Sequence, residues 1–229
     1  MGKLGFSNNQ LKIIAMISMT MDHVGVALFP EIEWLRIVGR LALPIYAYMI
    51  AEGCHHTKNM GRYFGSMALL ATLCQLVYFF AMGSLYMCIL VTFSLSIALI
   101  SLLKQAQQKS SFFWNLLLII GVCGVFFLCE ILPGRLPHTD YEIDYGFIGV
   151  MIPVCLYATK DKAGKSQVLL LALVCMSTIY GGVQWWSLLA APLLLLYNGR
   201  RGKWRLKWFF YLFYPVHLIA IYGISLILK

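Results

Sequence analysis

The sequence predicts an all-α, polytopic transmembrane helical bundle of about nine spans, and three observations carry that expectation. Of the 229 residues, 61% are hydrophobic and only 12% charged, about half the charged share of a soluble domain. The mean hydropathy is +0.78, which leaves too little polar surface to coat a water-soluble globule. Apolar residues also gather in runs near the roughly 20 residues that a hydrocarbon core about 30 Å thick requires. Disorder, collagen and secreted disulfide scaffolds fail on the same figures.

Taken in order, the first run covers about 11–29 and carries Asp22 and His23. It ends at Phe29-Pro30-Glu31 without a small-residue cleavage site, so it reads as a span rather than a signal peptide. The second, about 35–53, opens with Arg36 and Arg40 and closes toward Glu52, His55 and His56. The third, 63–82, contains Gln75; the fourth covers 85–103, and the fifth, 112–132, ends near Glu130. The sixth, 145–159, follows Asp144. The seventh and eighth, 167–181 and 184–197, are short for a span and are expected to be tilted, broken or seated in thinned bilayer. The ninth, 209–228, contains His217. No repeat of fixed period or low-complexity tract interrupts these runs, so residues 1–229 read as a single membrane domain.

The charge pattern orients the bundle. Lys3 and Lys12, Lys58 and Arg62, Lys104 and Lys109, then Lys160, Lys162 and Lys165, and finally Arg200, Arg201, Lys203, Arg205 and Lys207 place 14 cations at alternate connections, against Arg135 and Lys229 at the others. Cytoplasmic loops retain Lys and Arg, so the N-terminus is expected in the cytoplasm and the C-terminus outside. The same rule accounts for a net charge of +9 without nucleic acid. The seven cysteines form no CxxC, and Cys74, Cys88, Cys123, Cys155 and Cys175 lie in apolar runs, where they read as packing residues.

Polar groups inside the runs are the functional candidates, because a charge at a helix centre costs about 2.5–3.5 kcal/mol on insertion scales. Asp22 and His23 fall near the middle of the first run, and His217 near the middle of the last. Arg36 and Arg40 share a face at i,i+4, and one of them can reach Asp22. Neighbouring residues diverge by about 100° around a helix, so Asp22 and His23 are expected to meet different partners. Asp22 with Arg40 reads as a buried ion pair. His23 and His217 read either as packing residues, as a catalytic pair or as ligands of a haem or metal, since neutral imidazole is a common ligand. The His55-His56 pair reads as a solvated helix end. Asp140, Glu142 and Asp144 lack EF-hand spacing and read as a solvated loop. The 200–205 basic run reads as an orientation signal on anionic headgroups or as a phosphate cradle.

Five segments in order carry a resemblance: Met21-Asp22-His23; Gly39-Arg40 followed by Pro44; Gln75 with Tyr78; Tyr145-Gly146-Phe147-Ile148-Gly149; and Phe213-Tyr214-Pro215-Val216-His217-Leu218. From about Ile13 to Leu228 the chain resembles the TraX family of membrane proteins. At Cys88 the family usually has Asn, so that polar position is not carried over. The resemblance implies an acetyl-CoA-dependent acetyltransferase of the bacterial inner membrane whose acceptor is the N-terminal amine of a pilin subunit. A glycan hydroxyl or amine is the alternative acceptor.

Acetyl transfer from a thioester needs a base, oxyanion donors and exclusion of water. His23 is the candidate base, with Asp22 and Arg40 as a structural pair beside it and His217 and Tyr214 orienting or assisting; either histidine can be the essential one. Arg200, Arg201, Lys203, Lys58 and Arg62 are candidates for the CoA phosphates, with no metal expected. The bilayer, acetyl-CoA and the acceptor are the expected partners, and a homo-oligomer is open. Two other classes compete. A small proton-coupled transporter would relay protons through Asp22, His23 and Arg40. A non-catalytic assembly partner would dock through Gly61-xxx-Gly65 and Gly121-xx-Gly124.

Overall fold

The computed structural model describes residues 5–202 and 207–228. Lys203, a candidate phosphate ligand, lies outside the described residues, as do Lys3, Arg205 and Lys229 from the charge count. Among the described residues all regular elements are helical, with two isolated β-bridges, Phe6 to Tyr197 and Met87 to Ile143.

The helices are α1 (Asn8–Ala27), α2 (Glu33–Gly39), α3 (Ala42–His56), α4 (Met60–Met82), α5 (Ile89–Lys109), α6 (Phe112–Phe126), α7 (Leu132–Arg135), α8 (Gly146–Ala158), α9 (Lys162–Tyr180), α10 (Ala190–Leu195) and α11 (Lys207–Leu228). A π turn, Phe127–Ile131, joins α6 to α7, and a 3-10 segment, Gly182–Leu189, leads into α10. Five helical stretches are long and apolar enough to cross a membrane: Glu33–His56, Met60–Phe80, Ile89–Lys109, Phe112–Arg135 and Lys162–Tyr180. Gly146–Ala158, Gly182–Leu195 and Leu212–Leu228 are apolar but shorter.

The chain divides into two compact units, Met1–Met49 with Asp161–Lys229, and Ile50–Lys160. In the second unit α5 is the central helix, packed by α4, α6 and α8. Two of its polar side chains reach toward α8: Thr92 donates to the Asp144 carbonyl, just before that helix, at 2.7 Å, and Ser96 to the Val150 carbonyl at 2.8 Å. A Cβ at Gly149 would sit 3.3 Å from Thr92 Cγ2, so the small residue permits this approach. Gln75 on α4 holds the extended 83–88 connection, donating to the Tyr86 carbonyl at 2.9 Å and accepting from the Cys88 amide at 3.3 Å. The acidic loop has structural contacts: Asp140 accepts from Ser84 and the Leu85 amide, and Asp144 from the Tyr86 hydroxyl at 2.7 Å. At the end of α3, His56 lies 3.5 Å from Glu52 and His55 stacks on Tyr157. Of the glycine patterns, Gly121 packs on Leu99 and Leu102, whereas Gly65 and Gly124 have open space around them.

In the first unit α1 packs against α2 and α11, and the 3-10 segment packs against α2 and α9. Close approach of α1 and α2 depends on Gly25, where a Cβ would stand 3.0 Å from Leu35 Cβ. The start of α1 has a capping box between Ser7 and Gln10. The Asn8 and Asn9 amides donate to the carbonyls of Arg200 (2.8 Å) and Arg201 (3.2 Å), so the basic loop latches onto the helix that carries Asp22 and His23.

Candidate functional site

Four elements of the first unit converge on Asp22 and His23. Helix α1 carries that pair, α2 carries Arg36 and is capped by Arg40, the 3-10 segment brings Gln184, and α11 brings Tyr214 and His217. The adjacent residues of α1 do turn to different neighbours.

Asp22 faces α2. Its Oδ1 lies 3.0 Å from Arg36 Nε and accepts a hydrogen bond from Arg40 Nη2. One carboxylate oxygen therefore serves both arginines, because residues four apart lie on one face of the turn. Gly39 makes the approach possible: a Cβ there would stand 2.8 Å from Asp22 Cγ. Arg40 is buried, and its Nη1 reaches the equally buried Gln184 Oε1 at 3.3 Å. In the same 3-10 segment Ser187 Oγ is buried without a hydrogen-bond partner among the described residues.

His23 faces α11. Its Nδ1 lies 2.8 Å from Nε2 of His217, whose own Nδ1 lies 2.9 Å from the Phe213 carbonyl one turn back. Phe213 stacks on the His217 ring at 5.0 Å, and Tyr214 meets the same ring edge-on at 5.4 Å. Tyr214 also stands edge-on to His23, at 6.4 Å.

For two neutral imidazoles these contacts assign the tautomers. A carbonyl can only accept, so His217 Nδ1 carries its proton and donates to Phe213. His217 Nε2 is then an acceptor, and His23 Nδ1 must donate to it. The remaining nitrogen, His23 Nε2, holds the lone pair. The pair is thus directional: His217 sits behind His23 as acceptor, and His23 Nε2 is the basic atom. With both nitrogens of His217 engaged, the pair as it stands does not offer two free imidazoles to a haem iron. Among the described residues no group of three or more His, Cys, Asp or Glu gathers as a metal site.

The candidate phosphate ligands are divided. Arg200 and Arg201 are exposed and line a cavity of about 580 Å³ with Ser7, Asn9, Gln10 and Ile13. The first amides of α1 are already taken by Ser7 and by the two arginine carbonyls, so anion binding there falls to the guanidiniums. Lys58 and Arg62 are exposed in the second unit, where the Arg62 amide is capped by Asn59. Sequence reasoning missed Gln184 as the partner of Arg40; its signal was a lone amide inside the short eighth run. It also placed Arg36 among the polar groups without a role.

Comparison with known proteins follows the same span. The family model described as TraX protein matches residues 7–225. A probable fimbrial assembly protein FimC, serogroup H1, of Dichelobacter nodosus is 26% identical, with 99% of this chain and 98% of that protein aligned. The uncharacterized protein RP591 of Rickettsia prowazekii (strain Madrid E) is 47% identical over 38 residues, 17% of this chain and 15% of its own length. No solved structure matches. With all but the ends of the chain matched by the family model, this protein belongs to the TraX family.

Proposed function

We propose that the chain is an acetyl-CoA-dependent acetyltransferase of the bacterial cytoplasmic membrane, with the N-terminal amine of a pilin subunit as acceptor. The observation that carries the reading is the directional histidine pair, which leaves His23 Nε2 with a free lone pair. Membership of the TraX family and the full-length likeness to a protein named for fimbrial assembly support the choice of acceptor. In this reading the whole chain is one acyltransferase unit with its N-terminus in the cytoplasm and its C-terminus outside, an orientation that the 14-to-2 split of cations supports.

Acetyl-CoA approaches from the cytoplasm with its phosphates on the basic loop of Arg200, Arg201 and Lys203. Its thioester reaches His23. The acceptor amine attacks the carbonyl carbon while His23 Nε2 takes the proton, and the imidazolium that forms is stabilised by donating through Nδ1 to His217. Asp22 and Arg40 fix the turn of α1 on which His23 stands, and Tyr214 packs the two rings.

The test is intact-mass analysis of the candidate pilin after incubation with acetyl-CoA and the purified protein in nanodiscs. General-base catalysis contributes about 10²–10⁴-fold, so His23→Ala should lower acetylation by that order. His217→Gln keeps an acceptor for His23 Nδ1 and should retain activity. His217→Lys can only donate, reverses the tautomer and should abolish it. Wild-type rates in His23→Ala would remove the base assignment. Absence of an acetyl-CoA-dependent product from the wild type with pilin, peptide or glycan would remove the acetyltransferase reading altogether.

A further inference from the structure

Asp22 holds two guanidiniums, and the two are not equivalent. Arg40 is buried and donates to Asp22 and to Gln184. Arg36 has a side chain 34% exposed and turns only Nε toward Asp22, at 3.0 Å and without hydrogen-bond alignment. Among the described residues no group accepts from its Nη1 or Nη2. Glu33, one turn earlier on α2, is exposed and makes no ion pair with it. A structural salt bridge to Asp22 is already complete with Arg40, so Arg36 adds a second cation to one carboxylate beside His23. Surplus charge in an apolar helix is costly, and an accessible guanidinium fork is suited to an anionic oxygen.

We propose that Arg36 is the anion-binding residue of this site and that its Nη donors take an anionic oxygen formed or presented beside His23. The inference rests on the acetyl-transfer reading. In that reaction the amine nitrogen forms a bond to the thioester carbon, the carbonyl π pair moves onto oxygen, and the proton goes to His23 Nε2. When the adduct collapses, the oxygen pair returns, the C–S bond breaks, and the CoA thiolate leaves and is protonated from His23. The products are the acetyl amide and CoA thiol, so the balance needs no further reactant. The anionic oxygen has two sources of the same chemistry: the tetrahedral oxyanion, or a carboxylate on the acceptor close to its amine.

The experiment measures kcat and KM for wild type, Arg36→Gln and Arg36→Lys in nanodiscs, with acetyl-CoA and a pilin N-terminal peptide whose carboxylates are either free or amidated. If Arg36 meets the oxyanion, Arg36→Gln lowers kcat by about 10²–10³-fold for both peptides, with KM for acetyl-CoA unchanged. If it meets the acceptor, Arg36→Gln raises KM for the free-carboxylate peptide alone. Arg36→Lys restores part of the loss in either case, and the unfolding midpoint of Arg36→Gln stays near that of the wild type. Wild-type kinetics in Arg36→Gln with both peptides, or a loss matched by unfolding, overturns the proposal while leaving the acetyltransferase reading in place. A wild type without product overturns both.

Discussion

Sharing one carboxylate between two arginines makes a quantitative prediction about stability. Replacing Arg40 by Met leaves Arg36 Nε 3.0 Å from Asp22, so the carboxylate keeps a counter-charge. Its main loss is the donor to Gln184 Oε1, a buried acceptor, which costs about 1–3 kcal/mol. Replacing Arg36 by Met removes a partly exposed, poorly aligned partner and should cost no more than about 1 kcal/mol. Removing both strands Asp22 as an uncompensated charge, an event that costs about 3–5 kcal/mol on its own. The double variant should therefore be less stable than the sum of the singles by about 2–5 kcal/mol. The assay is reversible unfolding by SDS titration in mixed micelles for wild type, both singles and the double, from which the coupling energy follows directly. A coupling of zero, or Arg36→Met as costly as Arg40→Met, would refute the shared-carboxylate reasoning.

The acidic loop gives a pH prediction outside the helices. Hydrogen bonds from the Ser84 hydroxyl, foremost, and the Leu85 amide hold the Asp140 carboxyl below its usual range. A depressed carboxylate contributes its anchoring above the ordinary carboxylate pKa and loses it as pH falls through the depressed value. The protection factor of the Leu85 amide should fall on acidification through that window in wild type and be low at all pH in Asp140→Ala; an unprotected wild-type amide at neutral pH would count against the anchor. For the proposed topology, reporter fusions in the 198–208 loop should read as cytoplasmic and fusions after Lys229 as external, and the reverse at both sites would remove the orientation.

Most helices were legible because apolar length alone marks them, and most of the differences at their ends are polar. The run at 63–82 begins as a helix at Met60 because the Asn59 side chain caps the Arg62 amide. The run at 85–103 starts as α5 only at Ile89, because Gly83 is left-handed and the next residues are held extended by Gln75 and by Met87 bonds to Glu142 and Asp144. The eighth run winds as a 3-10 segment for Gly182–Leu189 before α10, tighter than the α-helix its hydropathy suggests. For the site, spacing at i,i+4 foretold an arginine beside Asp22, but a linear pattern could not say that both would share one oxygen. Depth counting brought His23 and His217 level; it could not bring them to 2.8 Å, since that depends on how α1 and α11 pack. Gln184 stayed hidden because the depth of a short segment cannot be counted from its ends.

The arrangement of α1 ties these points together. Its N-terminus is fixed by the carbonyls of Arg200 and Arg201, its middle by Asp22 to α2, and the next residue, about 100° around the axis, turns His23 to α11. The same turn of helix therefore separates two sets of contacts: Asp22 ties it to the arginines of α2, and His23 ties it to His217 of α11. The two side chains are engaged differently: Asp22 Oδ1 meets two guanidiniums, whereas among the described residues no cation makes hydrogen-bond contact with the remaining nitrogen of His23. Within the proposed reaction this is why the base is expected at His23 rather than at Asp22. In that reaction the arginines on α2, one side of the helix away, would steady the turn and meet a developing anion without hydrogen-bonding the imidazole that takes up the positive charge.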